Sequence, residues 1–524
     1  MTLNLKFKWM VLPAILLAGG IVACDDNDEN GNGNGNGNGD MGTPDMGGPM
    51  MNLQEQAVAN GQVQFTDATG DLSIDPDTLA VDVSGAGLTT PTEPLPAGFE
   101  QADYYGAVDP MAATPFWEGW TYIDPAADGT LPGDFFHPLQ AEIENGDITP
   151  AAMNACTTVN SNFQDGGTVD VFGETFPVCV IPQGNYVDDV SLPNNHVFVI
   201  NGTVTFGTGD EQLMGGMPSD SATLTIAAGT QVYAAADANS ILVISRGSQI
   251  DAQGNAMMPI IFGGVEVDTN EANVITDGDV TNLSDRGVWG GLVLSGFGEE
   301  NSGNQDGELL TEAAPTALPR WFGGFDNQDN SGTVRYAVIA ETGFQFDNDE
   351  EVQGLTLEAV GSGTSLSWIQ VIGSEDDCVE WFGGAANMSR LICNGVDDDG
   401  LDIDEGYQGN IQFAIVRIGA NNGNHGIESD NNSTPDQMPF TTPNIANLTV
   451  LGNAGRQDET TRGALHREGF RGKVYRSVFA DDTPAGGVFE DGCLDIDDQL
   501  DPPLQHFDSV FACSPAPLAD DDDT

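Results

Sequence analysis

Two rows of acidic residues in the second half of the chain are the residues best suited to hold a metal ion. The rows are 375–377 and 397–399, and Asp402, Asp404 and Glu405 follow the second row. Carboxylates held close together raise one another's pKa or bind a cation, and Ca²⁺ takes about six to eight oxygen ligands. A solvated acidic edge with loosely held counterions is the alternative interpretation. The sequence predicts a Ca²⁺ site among these residues: Asp376, Asp377, Asp397, Asp398, Asp399, Asp402 and Asp404.

Six of the 14 Lys and Arg residues lie close together further along the chain. They are Arg456, Arg462, Arg467, Arg471, Lys473 and Arg476, with His466 among them. In one interpretation they pair with acidic residues of neighbouring parts of the fold. In the other they form a pocket for an anionic ligand such as a uronic-acid glycan. In β-helix polysaccharide lyases, Ca²⁺ neutralises a uronate and a basic side chain removes the neighbouring proton. Arg467, Arg471 and His466 are the candidate catalytic residues on that interpretation.

The remaining motifs carry less chemical information. His425 lies close to Glu428 and Asp430 and could add a nitrogen ligand to a metal site, or it could cap a turn. The sequence contains no nucleophile elbow, no paired-histidine zinc motif and no phosphate-binding loop.

The charge of the chain excludes one class of partner. Its 81 Asp and Glu residues give a formal net charge of −67. Such a field repels nucleic acid and anionic lipid, so nucleic-acid binding is excluded. A solvated surface suited to high salt and a surface that recruits divalent cations both remain open.

The first 23 residues predict a bacterial lipoprotein signal peptide. Lys6 and Lys8 precede an apolar stretch that is shorter than the roughly 20 residues of a membrane-spanning helix. The segment Ile21-Val22-Ala23-Cys24 resembles the lipobox of bacterial lipoproteins. That resemblance implies that Cys24 becomes the acylated N-terminal residue and attaches the protein to a membrane. Residues 24–51 are rich in Gly, Asn and Asp, and they predict a disordered tether.

The cysteines predict disulfide bonds. Of the seven cysteines, Cys24 is assigned to lipidation, and the remaining six form an even set in an exported chain. Their spacing favours three local pairs: Cys156 with Cys179, Cys378 with Cys393, and Cys493 with Cys513.

Repeated strand patterns predict the element that positions the acidic and basic residues. Residues 224–232 and 242–250 share apolar positions and a glycine, and similar strands begin at Gly354, Cys378 and Gly400. A second apolar strand follows later in each unit. Units of variable length with constant strands are typical of a solenoid, and short strands with Gly or Asn corners favour a parallel β-helix. Right-handed coiling follows from the usual chirality of parallel crossovers.

Four segments carry a family resemblance: 287–294, 323–336, 354–364 and 380–384. They resemble a family of bacterial right-handed parallel β-helix lipoproteins that includes spirochaetal outer-membrane lipoproteins. The resemblance implies an all-β fold over much of the chain and implies no catalytic residue.

The predicted organisation has five parts. They are a signal peptide (1–23), a lipidated tether (24–51), an irregular or capping region (52–195), a parallel β-helix (196–515) and an acidic disordered tail (516–524).

The leading functional hypothesis is a lipid-anchored, non-enzymatic protein of the cell envelope that uses an acidic β-helix to bind a glycan or an outer-membrane receptor. A Ca²⁺-dependent lyase or hydrolase of acidic glycans and a structural or adhesive surface rod are the alternatives. We expect the outer membrane or cell surface, although Asp25 resembles the inner-membrane retention signal of enteric bacteria.

Overall fold

The computed structural model describes most of the chain after the tether. The described residues are 63–65, 72–122, 137–152, 156–236, 239–277, 280, 282–311, 320–346, 352–418, 423–452, 461–481, 489, 492–497 and 504–513. Cys24, the signal peptide, the tether, Arg456 and the acidic tail lie outside these residues.

The described residues form 31 strands, two short α-helices and one 3₁₀ turn at Ser84–Ala86. The helices are α1 (Gln140–Glu144) and α2 (Cys156–Val159). The first strands are β1 (Val63–Phe65), β2 (Ser73–Ile74), β3 (Val81–Asp82), β4 (Gln164–Val171), β5 (Glu174–Tyr186), β6 (Val190–Leu192), β7 (Val197–Phe206) and β8 (Thr223–Ile226). Next come β9 (Gln231–Ala235), β10 (Ile241–Ile244), β11 (Gln249–Gln253), β12 (Ile260–Val267), β13 (Ile275–Asp277), β14 (Leu292–Ser295), β15 (Leu309–Leu310) and β16 (Trp321–Phe322). The following strands are β17 (Gly332–Ala340), β18 (Leu355–Glu358), β19 (Ser365–Ile372), β20 (Val379–Phe382), β21 (Asn387–Asn394), β22 (Leu401–Asp404), β23 (Asn410–Arg417) and β24 (Ile427–Ser429). The last are β25 (Asn444–Gly452), β26 (Ala464–His466), β27 (Lys473–Tyr475), β28 (Val478–Asp481), β29 (Leu494–Ile496), β30 (Gln505–Phe507) and β31 (Ser509–Ala512).

The strands stack in register as three parallel sheets, and each later coil contributes to all three. Sheet 1 contains the ends of β5 and β7, then β10, β14, β18, β20, β22, β24, β26 and β29. Sheet 2 contains β6, β8, β11, the first parts of β17, β19, β21, β23 and β25, and then β27 and β30. Sheet 3 contains the first parts of β5 and β7, then β9 and β12, the later parts of β17 to β25, and then β28, β31 and β1. The prediction of an all-β parallel β-helix is confirmed, and parallel pairing begins at β5.

Alternating residues of each strand fill the interior of the coils. In β20, Val379 and Trp381 point inward and Glu380 points outward. Trp289 and Trp381 are fully buried, which agrees with their apolar sequence neighbours. Each buried aliphatic or aromatic side chain contributes about 1.5–3 kcal/mol by burial, so the stacked interior is the main source of stability.

A single residue in the left-handed conformation makes the corner between sheets 2 and 3. The φ angles lie between 48° and 60°, and none of these residues is glycine: Tyr336, Trp368, Arg390, Phe413, Asn447, Arg476 and Asp508. Each corner costs about 1–3 kcal/mol of backbone strain. Stacking along the column offsets part of this cost, because Tyr336 stacks on Trp368 at 5.1 Å and Arg390 lies over Trp368 at 4.5 Å.

The described part of the region before the β-helix is not a separate domain. Residues 72–122 and 137–150, the N-terminal strap, pack on the outer faces of sheets 2 and 3. Thr92 of the strap lies at the last coil, where Asp508 accepts a hydrogen bond from the Thr92 amide at 2.8 Å. The strap reaches a middle coil where the Tyr122 amide donates to Gln370, and Ile143 then packs near the first coils.

The three predicted disulfides form between the predicted partners: Cys156–Cys179, Cys378–Cys393 and Cys493–Cys513. The last two each join the start of a sheet 1 strand to the sheet 3 strand of the same coil, and Cys156 ties α2 to β5. None of the helices in the described residues is long and apolar enough to cross a membrane.

Replacing Trp381 with Ala should lower the free energy of unfolding by about 3–5 kcal/mol, because it leaves a large cavity between two coils. Urea denaturation followed by circular dichroism measures this change. Met111→Ala is the matched control, since Met111 is 88% exposed and should have little effect. Equal stabilities of the two variants would contradict the interior packing of Trp381.

Candidate cation site on sheet 1

The outward positions of sheet 1 carry a continuous series of acidic residues. In register, Glu380 of β20 lies beside Asp402 of β22, and Asp402 lies beside Glu428 of β24. These residues point outward because their neighbours in each strand fill the interior. These outward acids and the acids that directly precede or follow the same strands are together called the acidic ladder. Its members are Asp376, Asp377, Glu380, Asp398, Asp399, Asp402, Asp404, Glu428 and Asp430.

A second column of polar residues precedes the same strands. The Asp399 amide donates to Asp377 Oδ1 at 2.8 Å, the His425 amide donates to Asp399 Oδ1, and His425 pairs with Arg462 in a parallel bridge. Asp399 is followed by Gly400, where a Cβ would lie 2.3 Å from Val416. The close approach of the next strand therefore requires glycine after the acid.

The column and the outward positions together form compact groups of ligand atoms. Two groups contain only carboxylates, namely Asp376, Asp377 and Asp398, and Asp377, Glu380 and Asp402. The third contains Asp399, His425 and Glu428, and within each group the ligand atoms lie within 4.8 Å of one another. These acids are little exposed despite facing outward: Asp377 is 6% exposed, Asp399 is 4% and Glu428 is 8%.

The structure brings together most of the residues of the predicted Ca²⁺ site. Asp376, Asp377 and Asp398 form one group, Asp402 joins Asp377 in another, and Asp399 joins His425. Asp397 lies apart from these groups and pairs with Arg286 at 2.9 Å. Asp404 is the next outward residue after Asp402 in β22. Burial raises the pKa of Asp430, and the nearby charge of Asp404 raises it further.

His425 is held between carboxylates and a guanidinium. Its Nδ1 lies 3.2 Å from Asp399 Oδ1 and 3.1 Å from Glu428 Oε2, while its Nε2 lies 3.3 Å from Arg462 Nη1. A guanidinium only donates hydrogen bonds, so Nε2 accepts and Nδ1 carries the proton. The proton on Nδ1 faces the carboxylates, which disfavours metal binding in this group and leaves the two all-carboxylate groups as the better cation sites.

Burial and mutual repulsion raise the pKa of several ladder carboxyls. Burial is the largest cause for Asp377, Asp399 and Asp402, and neighbouring carboxylates add to it. Glu428 differs because, although burial opposes its ionisation, His425 and Arg467 lower its pKa to about 2. Burial likewise raises the pKa of Asp430, and neighbouring carboxylates add to this although the Arg467 guanidinium opposes it.

The described members of the basic group point in different directions and do not form one pocket. Arg467 pairs with Glu428 and Asp430 of the preceding coil, whereas Arg462 pairs with Asp495 of the following coil at 2.7 Å. Arg471 lies over the Phe440 ring. Among the others, His466 is buried in the interior against Phe470, Arg476 donates to carbonyls of the strap, and Lys473 is exposed on sheet 2.

One family comparison matches this arrangement of coils. A family model described as "Pectate-lyase like beta helix domain" matches residues 184–491, which is more than half of the 524-residue chain. The chain belongs to this pectate-lyase-like β-helix family. The matched part of the pectate-lyase-like domain contains the whole acidic ladder, Arg462 and Arg467. No curated protein and no solved structure matches the chain.

Glu380 is the ladder residue that sequence reasoning missed. The motif Cys378-Val-Glu-Trp places it at an outward position between two inward residues, so strand alternation alone could have found it. The pairing of Arg286 with Asp397 had no local signal, because the two residues are far apart in sequence.

The raised pKa values of Asp377, Asp399 and Asp402 predict how stability depends on pH without divalent cations. The folded state binds these protons more tightly than the unfolded chain, so their contribution is fully present below the ordinary carboxyl pKa of about 3.9. It is lost as the pH rises through the raised values. Asp402→Asn should therefore raise the free energy of unfolding by about 1–2 kcal/mol at about pH 8 and change it little at about pH 3, where the carboxyl is protonated in both the folded and the unfolded chain.

Urea denaturation in the presence of a chelator measures this effect. Glu211→Gln is the matched control, because Glu211 is exposed and distant in sequence from the ladder. A variant Asp402→Asn that is less stable than the native chain at the higher pH would show that Asp402 is not under electrostatic strain.

Proposed function

We propose that this protein is a lipid-anchored, non-enzymatic binding protein of the cell envelope, and that its acidic ladder holds Ca²⁺ and through it an acidic glycan. The observation that carries the proposal is the close group of Asp377, Glu380 and Asp402 on consecutive coils, in which Asp377 and Glu380 are buried. Buried carboxylates that lie this close are stabilised by a cation more effectively than by protons alone at neutral pH.

The chemistry of the ligand atoms supports Ca²⁺ over transition metals. The groups Asp376–Asp377–Asp398 and Asp377–Glu380–Asp402 offer only carboxylate oxygens, which are hard ligands. Ca²⁺ takes about six to eight oxygens, so main-chain carbonyls, water or a ligand carboxylate would complete the shell. A uronate is a suitable further ligand because it brings both a carboxylate and hydroxyl groups. The bound cation would reverse the local repulsion between an acidic protein and an acidic glycan.

The environment of Arg467 supports binding over cleavage. Burial lowers the pKa of its guanidinium, but the carboxylates of Glu428 and Asp430 more than offset this and raise it. Arg467 therefore stays protonated and is unsuited to remove a proton from a uronate. Arg471 is buried against Phe440, and His466 is fully buried in the interior, so neither supports a base at the surface.

A glycan-cleaving enzyme is the second candidate, and one observation favours it. Asp399 has a raised pKa and hydrogen-bonds Glu428, whose pKa is lowered to about 2. A protonated acid beside an ionised carboxylate is the pairing that acid–base catalysis uses. The family match to a pectate-lyase-like domain is compatible with this candidate and with binding alike.

Calorimetry of the mature chain with Ca²⁺ tests the binding proposal. Asp377→Asn should lower the Ca²⁺ affinity at least about tenfold, because Asp377 belongs to both all-carboxylate groups. Glu211→Gln is the control and should bind as the native chain does. Polyuronate should then bind with Ca²⁺ present and dissociate when a chelator is added.

Incubation of the same protein with polyuronates separates the two candidates. Binding alone predicts no unsaturated product and no new reducing ends. Product that appears with the native chain and disappears with Asp399→Asn would replace the binding proposal with a catalytic one.

The anchor at Cys24 is part of the proposal. The strand β1 pairs with β31, so the described chain begins beside the last coil, and the tether would lead from there to the membrane. Cys24→Ala should prevent acylation and release the protein from the membrane fraction. Metabolic labelling with palmitate and fractionation of cells measure this, and an unlabelled native chain would contradict the lipid anchor.

A further inference from the structure

Arg467 occupies a position in the acidic ladder itself. It directly follows β26, and its guanidinium reaches back to the preceding coil. Nη2 contacts Glu428 Oε1, and Nε lies 2.9 Å and 3.1 Å from the two oxygens of Asp430. The Arg467 side chain is 33% exposed, whereas the side chains of Glu428 and Asp430 are 11% and 12% exposed. The Arg467 guanidinium therefore contacts two carboxyl groups that are both nearly buried.

The bridged pair repeats an acidic pair of the coil before it. Asp402 lies in register with Glu428, and the Asp430 amide donates to the Ile403 carbonyl, which places Asp430 beside the next outward residue, Asp404. The same spacing of two outward acids thus occurs on consecutive coils. Arg467 reaches the second pair from the end of β26.

We propose that Arg467 is a built-in counter-ion that fills a ladder position which would otherwise take a divalent cation, and that it thereby limits how many Ca²⁺ ions the ladder binds. This inference rests on the proposed Ca²⁺ binding. A guanidinium fits the position because its planar set of donors bridges two carboxylates and stays charged at all physiological pH values. Unlike Ca²⁺, it cannot be removed by a chelator.

The surroundings of Arg467 are consistent with a position for a cation. The charged groups that face it are Glu428 and Asp430 by contact, and Asp402, Asp404, Asp399, His425 and Glu468 around them. Arg462, at the other end of β26, is directed to Asp495 and His425 and leaves the Glu428–Asp430 pair to Arg467. On this inference, Ca²⁺ binds to the groups Asp376–Asp377–Asp398 and Asp377–Glu380–Asp402, while Arg467 occupies the Glu428–Asp430 position.

Counting bound Ca²⁺ per folded chain tests this inference. Arg467→Gln removes the fixed charge and should bind one more Ca²⁺ than the native chain, measured by calorimetry and by elemental analysis after equilibrium dialysis. Arg467→Lys keeps a positive charge and should bind the native number. Arg390→Gln is the matched control, because Arg390 pairs with Glu100 of the strap and lies away from sheet 1.

The double variant Arg467→Gln/Glu428→Gln is a control that separates a change in Ca²⁺ binding from a folding defect. It removes one charge of each sign, so it should fold without Ca²⁺ and bind the native number of ions. The single variant should unfold at a lower temperature than the native chain in chelator and gain more from added Ca²⁺.

The outcomes distinguish this inference from the proposed function. A native chain that binds no Ca²⁺ overturns the proposed function. A native chain that binds Ca²⁺ while folded Arg467→Gln binds the same number overturns the counter-ion role of Arg467 alone. An added ion that persists in the double variant also overturns it, because the site would then not use Glu428.

Discussion

In-register stacking of equivalent side chains at about 4.8 Å is the constraint on which the structure depends. In the interior this spacing is favourable, since Val379 lies over Leu401 and Leu401 over Ile427, and each contact removes apolar surface from water. On the outer face of sheet 1 the same spacing places Glu380 beside Asp402 and Asp402 beside Glu428. The register that builds the core therefore also concentrates negative charge on the outer face. A change of register that separated the acidic side chains would also disrupt the interior packing.

The negative charge of the acidic ladder is compensated in three ways. Burial and neighbouring carboxylates raise the pKa values of Asp377, Asp399 and Asp402, which favours their neutral, protonated form. The Arg467 guanidinium pairs directly with Glu428 and Asp430. In the proposed function, Ca²⁺ binds the two all-carboxylate groups, to which Asp377 and Asp402 belong. Because protons and Ca²⁺ compete for the same oxygens, binding would strengthen as the pH rises.

Much of the fold could be predicted from the sequence because the repeated unit is local. The alternation around Cys378-Val-Glu-Trp and Gly400-Leu-Asp-Ile identified the strands of sheet 1, and the position of each cysteine within its unit identified its partner. The corners between sheets 2 and 3 could not be predicted, since left-handed residues such as Trp368 and Phe413 are not glycine and are held by stacking with side chains from other coils. The strap was equally hidden, because its contacts with Gln370 and Asp508 join residues hundreds of positions apart.

The candidate site was predictable in part for the same reason. The rows 375–377 and 397–399 can be recognised in the sequence as acidic runs. Which of their members face one another depends on the strand register, and Asp397 pairs with Arg286 instead of joining a carboxylate group. The basic group was visible as a cluster in sequence, yet the coil distributes it between the ladder, the interior and the strap.

A crystal structure of the protein grown with Ca²⁺ tests the central claim most directly, with anomalous scattering used to locate the ion. The account predicts an anomalous peak enclosed by Asp377, Glu380 and Asp402 or by Asp376, Asp377 and Asp398, with carboxylate oxygens about 2.3–2.6 Å away. A ladder without such a peak at saturating Ca²⁺ would contradict it.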